Sequence, residues 1–133
     1  MIRKPKLFVI IILFCISLIL NIYLGITSYL KSTYTPDSDD LEFLAEMTKM
    51  VLESEQYEEI ASKEPVYAIK QGVSRFNVDD PSSVFHYEIY VQTDQQSYIF
   101  TCKNEACSDV ENGGWTYSRY SDEEPILPLN ENK

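Results

Sequence analysis

From Leu7 to Leu30 the chain carries no charged side chain. These 24 residues are rich in Leu, Ile, Phe and Val, and a helix needs roughly 20 such residues to cross a bilayer. A soluble helix of this length shows a polar stripe. Here the polar side chains are Ser17, Asn21, Thr27 and Ser28 alone. A cleaved signal peptide ends in a small-residue A-x-A-like site, and the nearest approach is Gly25-Ile26-Thr27-Ser28. The segment therefore reads as an uncleaved, single-pass signal-anchor in contact with membrane lipid. Cys15 lies inside the apolar run after Leu13 and Phe14, a poor match to a lipidation site.

Arg3, Lys4 and Lys6 precede the run, and Lys31 alone lies close behind it. Basic flanks stay on the cytoplasmic side. The expectation is a cell-membrane protein with a cytoplasmic N-terminus at 1–6, an anchor at 7–30 and everything beyond it outside the cytoplasm. A linker at 31–37, an extracytoplasmic domain at 38–120 and a C-terminal tail at 121–133 complete the layout.

All 21 Asp and Glu lie beyond the anchor against eight Lys and Arg, a net charge of −13 there. Nucleic-acid binding needs a basic patch, and an outer domain with this charge is repelled by phosphates. Cys102 and Cys107 stand in a compartment where disulfides persist and are expected to bond to each other.

Pro36 stops the anchor helix from running onward. Asp37, Ser38 and Asp39 are good N-caps, and Asp39 with Glu42 forms a capping-box-like pair. A helix is predicted from Asp39 to Glu55, with a possible extension to Ala61. Leu41, Leu44, Ala45, Thr48, Val51 and Leu52 share one face of it, and Phe43, Met47 and Met50 a second. The apolar arc spans roughly 220°, whereas a surface helix usually shows little more than 100°. A flat sheet does not easily cover that arc, so Phe43, Met47 and Met50 should meet a partner, a folded-back tail through Ile126, Leu127 and Leu129, or a sheet that curls around them.

After Pro65 the period changes to two. Strands are predicted at 66–78 with a bulge at Gly72, at 84–93, at 97–102 and at 115–120. In the second, Phe85, Tyr87, Ile89 and Val91 line one face and His86, Glu88 and Gln92 the other. Asn77 to Ser83 is a loop by composition, and so is Lys103 to Gly114. The fold class is α+β: one helix packed on an antiparallel sheet of about four strands. The element order is similar to cystatin-like helix-on-sheet folds, a resemblance of topology that leaves function open.

Few residues suggest chemistry. His86 is the sole histidine, and Glu88 shares its face, so the pair is the one acid–base candidate. It lacks the positioned third group of such sites. A zinc site built on His86, Cys102 and Cys107 has no second ligand pair of the usual spacing. Asp37, Asp39 and Asp40 lack the Gly and Glu of an EF-hand loop, and Asp79-Asp80 suits a turn. No cofactor or metal is expected. Gly113-Gly114 lacks the Gly-Lys-Ser/Thr of a phosphate loop. The many strand tyrosines, with Trp115 and Tyr117 on one side of the last strand, fit ordinary sheet packing or a protein-recognition face.

The predicted function is a membrane-tethered protein-binding module without catalysis: an accessory subunit, inhibitor or immunity-type factor. Its candidate contact is Phe43, Met47 and Met50, because Met suits adaptable surfaces. The alternatives are a small enzyme using His86 and Glu88, or a pilin-like assembly subunit.

Overall fold

A computed structural model describes residues 4–76, 80 and 82–123. The chain forms two units, Met1–Thr33 and Tyr34–Lys133.

The first unit is the helix α1 (Lys4–Tyr34, 31 residues), about 46 Å long at 1.5 Å per residue. Among the described residues it is the one helix long and apolar enough to cross a membrane. Its polar side chains turn back on its own backbone. Asn21 Nδ2 donates to the Ser17 carbonyl at 2.7 Å, and Thr27 Oγ1 donates to the Tyr23 carbonyl at 3.0 Å. Such internal bonds satisfy polar groups that hydrocarbon cannot. The helix runs four residues past the predicted end at Leu30, to Tyr34. It stops where Pro36 disfavours helical backbone at Thr35.

The second unit is α+β. Two helices, α2 (Ser38–Leu52) and α3 (Glu55–Lys63), precede the strands. These are β1 (Val66–Val73), β2 (Tyr87–Thr93), β3 (Gln96–Cys102) and β4 (Val110–Tyr117). The strands form an open antiparallel sheet in the order β1-β2-β3-β4.

The single predicted helix is thus two. Glu53 caps the end of the first and Ser54 caps the start of the second, its hydroxyl accepting from Tyr57 N–H at 3.2 Å. The α2 N-cap is Asp37, one of the three expected caps, but the capping box is not the predicted pair. Asp37 accepts from Asp39 and Asp40 N–H, and Asp40 accepts from Asp37 N–H at 2.9 Å, closing the capping box two residues before the Asp39–Glu42 pair.

The buried stripe of α2 is Asp40, Leu44, Met47 and Val51. Leu41 and Leu52, placed in the core by periodicity, are 49% and 42% exposed. The helix is rotated by roughly 70° from the predicted face at 3.6 residues per turn. Leu44, Met47 and Val51 meet Ile60 of α3, Ile89 and Val91 of β2, and Phe100 of β3 in one core.

Several strand boundaries move. β1 ends at Val73, and its irregularity falls between Val66 and Ala68 rather than at Gly72. Gly72 is needed for another reason: a Cβ there would lie 2.8 Å from Cε2 of Tyr90. Residues 84–86 form a 3-10 turn, so β2 starts at Tyr87 and Phe85 is exposed rather than in the core. β4 starts at Val110, inside the predicted loop, because the strand pairs with β3 from Cys102↔Val110 to Gln96↔Tyr117. A register shift between Ile99 and Phe100 absorbs the extra residue near Gly113, as a bulge does.

Cys102 and Cys107 are bonded, with Cα atoms 4.9 Å apart. The loop between them is held further by Cys107 N–H donating to the Asn104 carbonyl at 2.9 Å. Cys107 has φ 45°, in the left-handed region. Closing so short a loop stabilises the fold by about 2 kcal/mol. Reduction in a calorimeter should therefore lower the melting temperature by about 10 °C, and an unchanged value would remove the disulfide from the stability argument.

Candidate functional site

The predicted contact residues point inward. Met47 is fully buried in the core, and Met50 packs against that core partly buried. Phe43 stacks on Tyr87 with ring centroids 4.3 Å apart and planes 29° off parallel. Tyr87 thus supplies the cover that the wide apolar arc requires. The predicted tail cover at Ile126, Leu127 and Leu129 lies outside the described residues.

Beside this stack is a polar cluster. Arg75, just after β1, donates from Nη2 to both oxygens of Asp40 at 2.6 and 2.5 Å. Tyr87 Oη donates to Asp40 Oδ1 at 2.9 Å. Burial pushes the Asp40 carboxyl up, but the bonds from Arg75, the Asp37 backbone and Tyr87 outweigh it, leaving its pKa below the ordinary 3.8. Burial and the bond to Asp40 raise the Tyr87 phenol. A bonded carboxylate in this position ties the start of α2 to the segment leaving β1.

His86 also belongs here. Strand alternation placed it on a solvated face, but the 3-10 turn carries it inward, where it is 5% exposed and 4.2 Å from the Tyr87 ring. Its Nδ1 is buried without a hydrogen-bond partner. Burial, then the Arg75 charge, lower its pKa from 6.5, against smaller opposing effects of Asp40 and a Ser83 backbone bond. Glu88 makes a different contact, accepting from the Tyr90 hydroxyl. The charges that act on His86 are those of Arg75 and Asp40.

This arrangement gives a pH dependence. The unfolded chain takes up the His86 proton before the folded chain does, so the unfolded state binds more protons as pH falls below 6.5. Stability is full above that pH and declines below it. Thermal melts at pH 7 and pH 5 should show a lower midpoint in acid, and His86→Phe should shrink that difference. An equal drop in the variant would assign it elsewhere.

The acidic runs have structural roles. Asp37 and Asp40 serve the capping box, and Asp80 Oδ1 accepts from Ser82 N–H at 2.9 Å in a turn. Asp79 lies outside the described residues.

A different surface stands open on β4. Trp115 is 56% exposed and Tyr117 82% exposed. Their rings meet edge to face, with centroids 5.9 Å apart. Register places Trp115 opposite Tyr98 and Tyr117 opposite Gln96. Tyr98 faces the helices, since its hydroxyl donates to Glu64 at 3.0 Å and its ring packs on the core. The aromatic pair therefore stands on the helix-facing side of the sheet. Next to it is a groove of about 330 Å³ between α3 and β4, lined by Gln56, Glu59, Ile60, Lys63, Tyr98 and Asn112.

Local bonds fix this surface. Asn112 N–H donates to Gln56 Oε1 at 2.7 Å, and Gly114 N–H donates to Asn112 Oδ1 at 3.1 Å. After β4, Ser118 Oγ donates to the Thr93 carbonyl at 2.6 Å and Tyr120 meets Tyr67 of β1, so the chain leaves Tyr117 across the end of the sheet. Sequence alternation put Trp115 and Tyr117 on one side, but their exposure depends on how far the helices reach over the sheet.

The chain matches no protein-family model, no curated protein and no solved structure.

Proposed function

We propose that this protein is a membrane-tethered module that binds another protein outside the cytoplasm and performs no catalysis. Residues 7–30 are the anchor, Arg3, Lys4 and Lys6 hold the N-terminus in the cytoplasm, and the domain at 38–120 projects from the opposite side. The length and apolarity of α1 support the anchor, and the Cys102–Cys107 bond supports an oxidising compartment. The cystatin-like reading of the topology rests on the element order of helix followed by antiparallel strands.

The observation that carries the binding role is the exposed Trp115–Tyr117 pair beside a groove. Trp and Tyr concentrate binding energy at protein interfaces, and water contact with so much aromatic surface is unfavourable without a partner. The test is a photo-crosslinking amino acid at Tyr117 in the full chain, in intact cells. A discrete protein adduct is expected, lost on Trp115→Ser. The same probe at Gln92, on the other face of the sheet, should give none. No adduct at Tyr117, or equal adducts at both sites, would overturn the proposal.

A further inference from the structure

Resting on the membrane-anchor reading, the length of chain between α1 and α2 bounds how far the start of α2 stands from lipid. We infer that the end of the outer domain carrying Phe76 and Phe85 is a second membrane contact, with both rings entering the headgroup layer of the bilayer that holds the anchor.

The helix α1 ends at Tyr34, a rise of about 6 Å past Leu30. From Tyr34 to Ser38, where α2 starts, the chain reaches at most about 14 Å. Ser38 therefore stays within about 20 Å of the last residue of the uncharged run. The start of α2 is tied in turn to one end of the sheet. Asp40 accepts from Arg75 after β1 and from Tyr87 at the opening of β2. Phe76 follows Arg75 directly. Phe85 precedes His86, whose carbonyl accepts from Ser74 N–H at 2.9 Å. Both phenylalanines thus belong to the end where α2 begins, and they are 54% and 48% exposed. Large apolar side chains left open at one end of a domain mark an interaction surface, and Phe is a residue that interfacial elements sink into the headgroup boundary. A tether this short holds lipid at high effective concentration, so the bilayer is the occupant this end meets first.

The charges at this end choose the lipid. Asp80 and Glu105 line one cavity of about 400 Å³ with Phe85, and Asp37 and Asp39 are exposed beside the start of α2. The cations here are paired, Arg75 with Asp40 and Lys103 with Asp109. The end is net acidic, so anionic headgroups repel it, and headgroups without net charge do not. A second copy brings the same acids, and like charges disfavour that encounter. The β4 aromatics are not part of this contact. Val110 and Cys102 pair at the Tyr87 end of the sheet, and Trp115 lies about 16 Å further along β4, toward the opposite end.

Trp115 is the sole tryptophan, so the native chain and a Phe85→Trp/Trp115→Phe variant each report on one position. Both would be placed, full length, in nanodiscs of zwitterionic phosphatidylcholine carrying a spin label either on the headgroup or near the top of the acyl chain. Emission from the variant should be quenched by the acyl label and protected from aqueous acrylamide. Emission from native Trp115 should show neither effect. Adding Phe76→Asp to the variant, or replacing part of the lipid with phosphatidylglycerol, should relieve the acyl quenching. Phe76→Trp in the Trp115→Phe background reads the same surface independently, and unchanged melting temperatures show that the variants fold. Quenching by the headgroup label alone, or acyl quenching no greater than that of native Trp115, would overturn the inference. If the chain co-elutes with the discs but shows no acyl quenching, the anchor stands and the second contact falls; a chain that does not co-elute removes both.

Discussion

Asp40→Ala should destabilise the folded domain by about 3 kcal/mol, because breaking a buried ion pair leaves the other charge behind. Asp40 is 4% exposed and accepts bonds from Arg75, Tyr87 and the Asp37 backbone. Its removal frees three donors at once and takes an acid from the first turn of α2, where negative charge is favourable. The effect should be a fall in melting temperature of about 15 °C. Asp39→Ala, at an exposed neighbour, should change stability by no more than about 0.5 kcal/mol. Chemical denaturation of the two variants side by side measures the difference. An Asp40→Ala variant within about 1 kcal/mol of the parent would mean that the Arg75 contact does not hold the segment after β1.

Met47→Ala should cost about 3 kcal/mol, the usual result of truncating a buried side chain without collapse of the space. Met47 is fully buried, while Trp115 is more than half exposed. Trp115→Ala should therefore shift stability by about 1 kcal/mol or less and still abolish capture of the partner. The contrast separates a residue that builds the fold from one that serves it. If Met47→Ala were neutral and Trp115→Ala unfolded the domain, the two assignments would have to be exchanged.

The parts legible in the sequence are those set by local pattern. An uncharged apolar run reports a long apolar helix directly, and the alternation through Ile89 and Val91 reports a strand with one buried face. What was not legible depends on contacts between distant positions. The rotation of α2 follows from Asp40 meeting Arg75, 35 residues away, and from Phe43 meeting Tyr87. Neither pairing leaves a periodic trace. Asn112-Gly113-Gly114 reads as a loop by composition, yet Gly113 sits in a strand. A Cβ there would come within 3.1 Å of Thr101 Oγ1, a tight contact that a larger residue would meet only by shifting the Thr101 side chain. The helix break at Ser54 has a local signal in its capping hydroxyl, but apolar residues recur on both sides of it, at Val51, Leu52, Tyr57 and Ile60. For Trp115 and Tyr117, residue type fits sheet packing as well as an interface, and the reach of the helices over β4 decides that they stand open.

Placement of the domain outside the cytoplasm is tested most directly by its thiols. Cells expressing the full chain would be quenched in acid, and the free thiols tagged before and after reduction, with tags counted by mass. The chain has three cysteines, and Cys15 is free while Cys102 and Cys107 are bonded. The expected result is a single tag, on Cys15, before reduction and tags on all three cysteines after it. Tags on Cys102 and Cys107 before reduction would place the domain in a reducing compartment and contradict the assignment.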